Sequence, residues 1–174
     1  MGSGLDFGNV EAVLFDFDGT LVHLNIDFGR MRAEVEALLP QYGLSMEGRS
    51  ALYVLELIED AVRELEAEDE GRGLAFRQEA EAVIVAIELE AADEAQVYPE
   101  VPELLRRLRE RRIKVAIVTR NCRVAVERIL AENPLAYDVL LTRDEVTAVK
   151  PDPGHLLTAL RLLGVEPQRT LMVG

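Results

Sequence analysis

Residues 12–20 read Ala-Val-Leu-Phe-Asp-Phe-Asp-Gly-Thr. The apolar run that begins this segment favours a short buried strand, and acidic side chains follow it at once. Gly19 allows the chain to turn sharply behind the acids. The segment therefore predicts a strand whose carboxyl end carries two carboxylates, Asp16 and Asp18.

The sequence on both sides of a long middle segment alternates between strand-like and helix-like patterns. Further apolar runs, rich in branched residues, predict strands at Ile113–Val118, Val139–Leu141 and Leu171–Val173. Helical patterns lie between these runs at Pro102–Arg111, Arg123–Ala131 and Pro153–Leu163. Alternation of this kind is typical of a parallel sheet covered on both faces. We expect an α/β fold with a Rossmann-like parallel sheet core.

The middle segment differs from its flanks in charge. From Leu21 to Tyr98 there are 18 acidic residues, 6 arginines and no lysine, whereas the rest of the chain has 14 acidic and 13 basic residues. Apolar residues at helical spacing predict amphipathic helices here, one of them over Phe28–Leu39, with a break at Gly71 and Gly73. We expect an α-helical cap at 22–96, inserted into a core formed by 1–21 and 97–174.

Composition excludes several classes of function. The net charge is −13, aromatic residues make up 5% and tryptophan is absent, which together argue against binding to nucleic acid. No apolar stretch is long enough to span a membrane and no export signal precedes the first strand, so we expect no membrane association. The single cysteine fits a cytoplasmic protein. We interpret Met1–Gly4 as a flexible leader.

The chemistry-bearing residues follow the predicted strands. Because ligands bind beyond the carboxyl ends of parallel strands, Asp16, Asp18, Thr119 and Lys150 are expected to gather at one edge of the sheet. Such a set suits phosphoryl transfer: one carboxylate attacks phosphorus, the other moves a proton, and a cation offsets their repulsion. Lysine is rare in this chain, occurring among 19 basic residues only at Lys114 and Lys150, which favours a specific role for Lys150.

Three segments in this order resemble the motifs of the haloacid dehalogenase (HAD) superfamily. They are Phe15–Val22, Thr119 after Ala116–Val118, and Lys150–Pro153. The position of the helical insertion resembles that of the cap in the branch related to phosphoglycolate phosphatase. The resemblance implies that Asp16 is the nucleophile and a Mg²⁺ ligand. It also implies that Asp18 is the general acid and base, with its backbone carbonyl on the metal, and that Lys150 pairs with Asp16.

The resemblance further implies that Thr119 binds phosphate. We add Gly19, Thr20, Arg120 and Asn121 as candidate phosphate- or substrate-binding residues. Members of the superfamily often carry asparagine directly after the threonine, whereas Arg120 precedes Asn121 here, and either side chain could face the site. The superfamily's fourth motif adds acidic metal ligands after a strand like Leu171–Val173. The sequence stops at Gly174, so we expect a truncation in which the C-terminal part of the core is missing.

These patterns predict a Mg²⁺-dependent phosphatase that hydrolyses a small phosphomonoester, such as a phosphoglycolate-like metabolite, through an aspartyl-phosphate intermediate. Alternatives are a phosphomutase of the same superfamily, or a non-catalytic phosphate-binding or receiver-like module. A purely structural alternative is that Asp18 and Gly19 form a β-hairpin turn. Asp144 or Glu145 could replace the missing metal ligands. We expect His155 at the surface. The sequence does not indicate the oligomeric state.

Overall fold

The computed structural model describes residues 8–174, so the leader Met1–Gly4 lies outside the described residues. The chain divides into two compact units. The first contains the described residues up to Leu24 together with Ala92–Gly174, and the second is Asn25–Ala91.

Within residues 8–174 the strands are β1 (Ala12–Phe15), β2 (Val22–His23), β3 (Gln96–Val97), β4 (Lys114–Val118), β5 (Val139–Leu141) and β6 (Thr170–Val173). The α-helices are α1 (Phe28–Leu38), α2 (Val54–Glu68), α3 (Glu70–Ala92), α4 (Val101–Glu110), α5 (Arg123–Glu132) and α6 (Pro153–Leu163). No helix among these residues combines the length and the apolar character that crossing a bilayer requires.

The first unit is built on a parallel sheet with strand order β5-β4-β1-β6. All four residues of β1 and the last four of β4 are buried, as expected for strands covered on both faces, whereas Leu171, Met172 and Val173 of β6 are exposed. Strand β1 pairs with β4 from Ala12↔Lys114 and with β6 from Ala12↔Thr170. The α/β fold with a parallel sheet that the sequence predicts is therefore confirmed.

The turn after β1 does not form a hairpin. Strand β2 pairs antiparallel with β3, through Val22↔Val97 and His23↔Gln96, instead of folding back on β1. Gly19 has a φ of +76°, a left-handed conformation that costs glycine little. The segment behind β1 is therefore a tight turn at the edge of the sheet, and the hairpin alternative is wrong.

The second unit contains a core of apolar side chains from α1, α2 and α3. The residues Ile58, Val62 and Leu65 of α2, which recur at helical spacing, are buried. The predicted helix break at Gly71 and Gly73 is wrong, because both glycines lie inside α3. The break falls at Asp69, whose backbone is extended and whose Oδ1 accepts a hydrogen bond from the Gly71 N–H at 2.8 Å.

Gly73 is explained by packing between α2 and α3. A Cβ atom at this position would collide with Cγ of Glu66 and lie 3.2 Å from the carbonyl oxygen of Val62. A Cβ at Gly71 would meet only Oδ1 of Asp69, at 3.1 Å, which is the end of a side chain that can rotate. Glycine at position 73 therefore allows α2 and α3 to approach each other closely, whereas glycine at position 71 is not needed for that approach.

We expect Gly73→Ala to destabilise the protein by about 1 kcal/mol, because overpacking costs about 1–3 kcal/mol and exceeds the helix propensity that alanine gains, about 1 kcal/mol. The matched control is Gly71→Ala, which should unfold at the parental urea concentration or above it. Urea titration followed by circular dichroism measures both. Equal midpoints for the two variants would contradict the close approach.

Candidate active site

The carboxyl edge of the sheet brings together polar side chains that are far apart in the sequence. Asp16 and Asp18 follow β1, Thr119 and Asn121 follow β4, and Lys150 lies in the loop between β5 and α6. Because these strands are parallel, their carboxyl ends lie at the same edge. All of these side chains belong to the first unit of the chain.

Asp16 is fixed by backbone and side-chain contacts. Its N–H donates to the carbonyl oxygen of Val173 at 2.9 Å, which ties it to β6. Its Oδ1 accepts the Phe17 N–H at 2.8 Å and pairs with Lys150 Nζ at 2.8 Å. Neither of these two contacts engages Oδ2. The Asp16 side chain is one-third exposed and that of Lys150 is 16% exposed, so the ion pair is partly shielded from water.

Asp18 accepts hydrogen bonds on both of its carboxylate oxygens. The Thr119 hydroxyl donates to Oδ2 and the Asn121 Nδ2 donates to Oδ1, each at 3.1 Å. Thr119 and Asn121 are buried, whereas Asp18 is half-buried. Hydrogen bonds to a carboxylate are stronger than those between neutral groups, so this pair of donors restricts the orientation of Asp18.

The segment after β4 holds these two donors in place. The Asn121 N–H donates to the Thr119 hydroxyl oxygen at 3.0 Å, and the Cys122 N–H donates to Asn121 Oδ1 at 2.8 Å. Asn121 thus satisfies a backbone donor at the start of α5 with its oxygen while its nitrogen faces Asp18. Of the two residues that follow Thr119, Asn121 is one whose side chain contacts an acidic side chain of the site.

The contacts described for the other predicted site residues are made by their backbones. The Gly19 N–H donates to the Val22 carbonyl at 2.8 Å, and the Thr20 N–H donates to the Phe17 carbonyl at 3.2 Å, so both belong to the turn after β1. The carbonyl oxygen of Arg120 accepts a hydrogen bond from Nη1 of Arg143 at 3.1 Å. Phosphate binding by Gly19, Thr20 and Arg120 stays a prediction.

Asp144 and Glu145, the alternative metal ligands, make structural contacts in the loop after β5. Asp144 Oδ2 accepts the Arg123 N–H at 2.7 Å, at the first residue of α5. Glu145 pairs with the Arg123 guanidinium and accepts hydrogen bonds from the Thr142 N–H and hydroxyl at 2.8 Å. Burial alone would raise the pKa of Glu145, but these partners outweigh it and lower that pKa. Both carboxylates therefore connect α5 with the loop.

His155, which the sequence analysis places at the surface, is fully buried. It lies in the first turn of α6 and shares a buried helix face with Ala159 and Leu163. Its Nδ1 accepts the Lys150 N–H at 3.2 Å. The spacing of four residues from 155 to 159 and from 159 to 163 is the signal that could have revealed its burial.

Asp16 and Asp18 supply the candidate oxygen donors for a divalent cation. Among residues 8–174, no group of three or more histidine, cysteine, aspartate and glutamate side chains is placed to hold a metal ion. Mg²⁺ is commonly bound through one or two carboxylates, with water and substrate oxygens completing its shell. The oxygen atoms of the two aspartates fit such an ion and would supply part of its coordination shell.

A family model described as haloacid dehalogenase-like hydrolase matches residues 10–174. The chain is 31% identical to pyrophosphatase PpaX from Bacillus mycoides over 179 residues, which cover 95% of this chain and 74% of the relative. It is 29% identical to phosphoglycolate phosphatase 1 from Pseudomonas aeruginosa over 174 residues, which cover 93% of this chain and 61% of the relative.

Solved structures share the fold. A HAD phosphatase from Thermococcus onnurineus superimposes with a TM-score of 0.54 at 26% identity, covering 95% of this chain and 77% of that one. The β-phosphoglucomutase of Clostridium difficile superimposes with a TM-score of 0.61 at 19% identity, covering 95% of this chain and 76% of that one. The second likeness concerns the fold alone.

We expect Thr119→Val to destabilise the protein by about 1–3 kcal/mol, because it leaves the Asn121 N–H without its acceptor in a buried site. The matched control is Thr147→Val, since Thr147 is exposed. Thermal unfolding of both variants measures the difference. A Thr119→Val protein as stable as the control would contradict the hydrogen-bonded arrangement behind β4.

Proposed function

This chain belongs to the haloacid dehalogenase-like hydrolases, and we propose that it is a Mg²⁺-dependent phosphatase that acts on a small phosphomonoester. The observation that supports this most is the pairing of Lys150 Nζ with Asp16 Oδ1 at 2.8 Å, beside an Asp18 held by two hydrogen bonds. Members of the family with phosphatase activity generally use a divalent metal.

In the proposed first step, an oxygen of Asp16 attacks phosphorus while the bond from phosphorus to the ester oxygen breaks. Asp18 enters this step as a carboxylic acid and gives its proton to the departing alcohol. Lys150 holds Asp16 Oδ1 and places a positive charge where negative charge develops on the phosphoryl oxygens. The products of this step are the free alcohol and an acyl phosphate on Asp16.

In the proposed second step, Asp18 accepts a proton from a water molecule that attacks phosphorus, and the bond to Asp16 breaks. Inorganic phosphate leaves and both carboxylates return to their starting state. Thr119 and Asn121 support both steps because they orient Asp18. Phosphate binding by Thr119, Asn121, Gly19, Thr20 and Arg120 is part of the same proposal.

The carboxylate of Asp16 and the backbone carbonyl of Asp18 are the proposed protein ligands of Mg²⁺. When bound, a divalent cation offsets the repulsion between carboxylates and phosphate and neutralises phosphoryl charge. The Asp18 carbonyl is the better candidate within that residue, because both of its carboxylate oxygens already accept hydrogen bonds.

The proposed substrate is a small phosphorylated metabolite of the phosphoglycolate type. The names of the relatives, a pyrophosphatase and a phosphoglycolate phosphatase, describe small phosphate compounds. A cytoplasmic location, and the expectation that neither nucleic acid nor membrane is a partner, stay predictions from the sequence.

Two alternative functions can be distinguished from the proposed phosphatase activity. A phosphomutase would use the same Asp16 but return the phosphoryl group to its substrate, so it would release little inorganic phosphate. A receiver-like module would carry its acceptor aspartate after the third strand of the sheet. Here Asp138 precedes β5, and its Oδ2 accepts the Val115 N–H at 2.7 Å, near the opposite ends of the strands.

We expect Asp16→Asn to abolish hydrolysis of para-nitrophenyl phosphate in the presence of Mg²⁺, because the amide cannot form the acyl phosphate. The matched control is Asp138→Asn, which removes an equal charge at the other edge of the sheet. Release of para-nitrophenol is followed by absorbance. Hydrolysis by Asp16→Asn at the rate of the control would refute the mechanism.

Chelation tests the metal requirement separately. Treatment with EDTA should remove hydrolysis, and added Mg²⁺ should restore it, because the two carboxylates alone repel the phosphate ester. Full activity in excess EDTA would rule out the divalent ion while leaving the role of Asp16 open to the preceding test.

A further inference from the structure

His155 is a polar residue in a place where an apolar one would pack as well. It is 0% exposed, and it lies on the same helix as the core residues Ala159, Leu160 and Leu163. Within residues 8–174, its Nε2 is a buried side-chain nitrogen without a hydrogen bond of good geometry, although the backbone of Leu141 and Thr142 lies near the ring. An unsatisfied buried donor costs stability, so packing alone does not explain a histidine at this position.

The other ring nitrogen has a defined task. Nδ1 of His155 accepts the backbone N–H of Lys150 at 3.2 Å. Lys150 lies in a loop segment between β5 and α6 that belongs to neither a helix nor a strand. The hydrogen bond therefore joins the backbone of Lys150 to the first turn of α6, which is itself capped by Asp152 through the Gly154 N–H at 2.7 Å.

Lys150 needs such an anchor because its side chain must meet a fixed target. Its Nζ pairs with Asp16 Oδ1 at 2.8 Å, and Asp16 is tied to β6 through the Val173 carbonyl. A long lysine side chain on a mobile backbone would sample many positions around that carboxylate. An anchor on the backbone of the same residue limits where the ammonium group can lie.

The protonation state of His155 suits this contact. A ring nitrogen accepts a hydrogen bond only when it carries no proton, so Nδ1 must be the unprotonated atom. Burial, followed by the nearby charge of Lys150, lowers the pKa of His155. The backbone of Leu141 and Thr142 and the charge of Asp16 act in the opposite direction but are weaker. The imidazole is therefore neutral, with its proton on Nε2.

We propose that His155 is a positioning residue for Lys150: its Nδ1 holds the Lys150 backbone so that the ammonium group meets Asp16. The inference rests on the proposed function, since it assigns His155 to the same site. The hydrogen bond between the Lys150 N–H and His155 Nδ1 does not depend on the reaction, because both groups belong to the protein itself.

Two substitutions separate positioning from packing. His155→Leu fills the buried space but removes the acceptor, whereas His155→Asn keeps an oxygen acceptor attached directly to Cγ, as Nδ1 is in histidine. Leu160→Ala serves as the control, because it weakens the core on the same helix and leaves His155 in place. Each variant is prepared in the full chain.

The first measurement is hydrogen–deuterium exchange of the Lys150 amide by NMR. Exchange should accelerate in His155→Leu and stay near the parental rate in His155→Asn and Leu160→Ala. The second measurement is kcat/KM for para-nitrophenyl phosphate with Mg²⁺. It should fall about tenfold in His155→Leu, a loss typical of residues that orient an active-site group, and be largely rescued in His155→Asn.

Parental exchange and parental kcat/KM in His155→Leu would overturn the inference, and so would equal losses in His155→Leu and His155→Asn, since those indicate packing alone. Lys150→Met tests the proposed function separately. If Lys150→Met keeps full activity, the proposed mechanism fails, while the exchange of the Lys150 amide in the histidine variants still decides whether His155 holds this backbone.

Discussion

Repulsion between two carboxylates at the end of one strand is the constraint around which the site is built. Asp16 and Asp18 are separated by a single residue, so their negative charges lie close together whenever both are ionised. Lys150 compensates the first, and the buried donors Thr119 and Asn121 compensate the second. Each compensating group comes from more than 100 residues away in the sequence, so the site exists only when the sheet is formed.

The strand order explains how distant groups reach these acids. Strand β1 lies between β4 and β6, so residues that follow β4 meet Asp18 while the end of β6 holds the backbone of Asp16. The loop after β5 then returns Lys150 to the same edge. Because β1 is buried and pairs in parallel with both neighbours, a change of its register would move both carboxylates away from their partners.

Much of this could be predicted from the sequence because local signals were strong. Strand β5 and helix α6 have the predicted bounds, since a branched apolar run marks the former and Pro153 and Gly164 mark the ends of the latter. The glycines of α3 look like helix breakers in the sequence, but at Gly73 the close approach of a neighbouring helix leaves no room for a side chain, and that contact is not visible in the sequence. The hydrogen bonds of Asn121 and His155 depend on tertiary placement in the same way, and the chemical roles of the site residues stay predictions.

The antiparallel pair of β2 and β3 determines where a replacement for the segment Asn25–Ala91 would have to be joined to the chain. These strands bring residues 22–23 and 96–97 side by side, so the two points where Asn25–Ala91 leaves and rejoins the first unit are neighbours. Closing that gap with a few residues would cost little chain entropy. Any segment that replaces Asn25–Ala91 must therefore have two ends that meet at this two-strand junction.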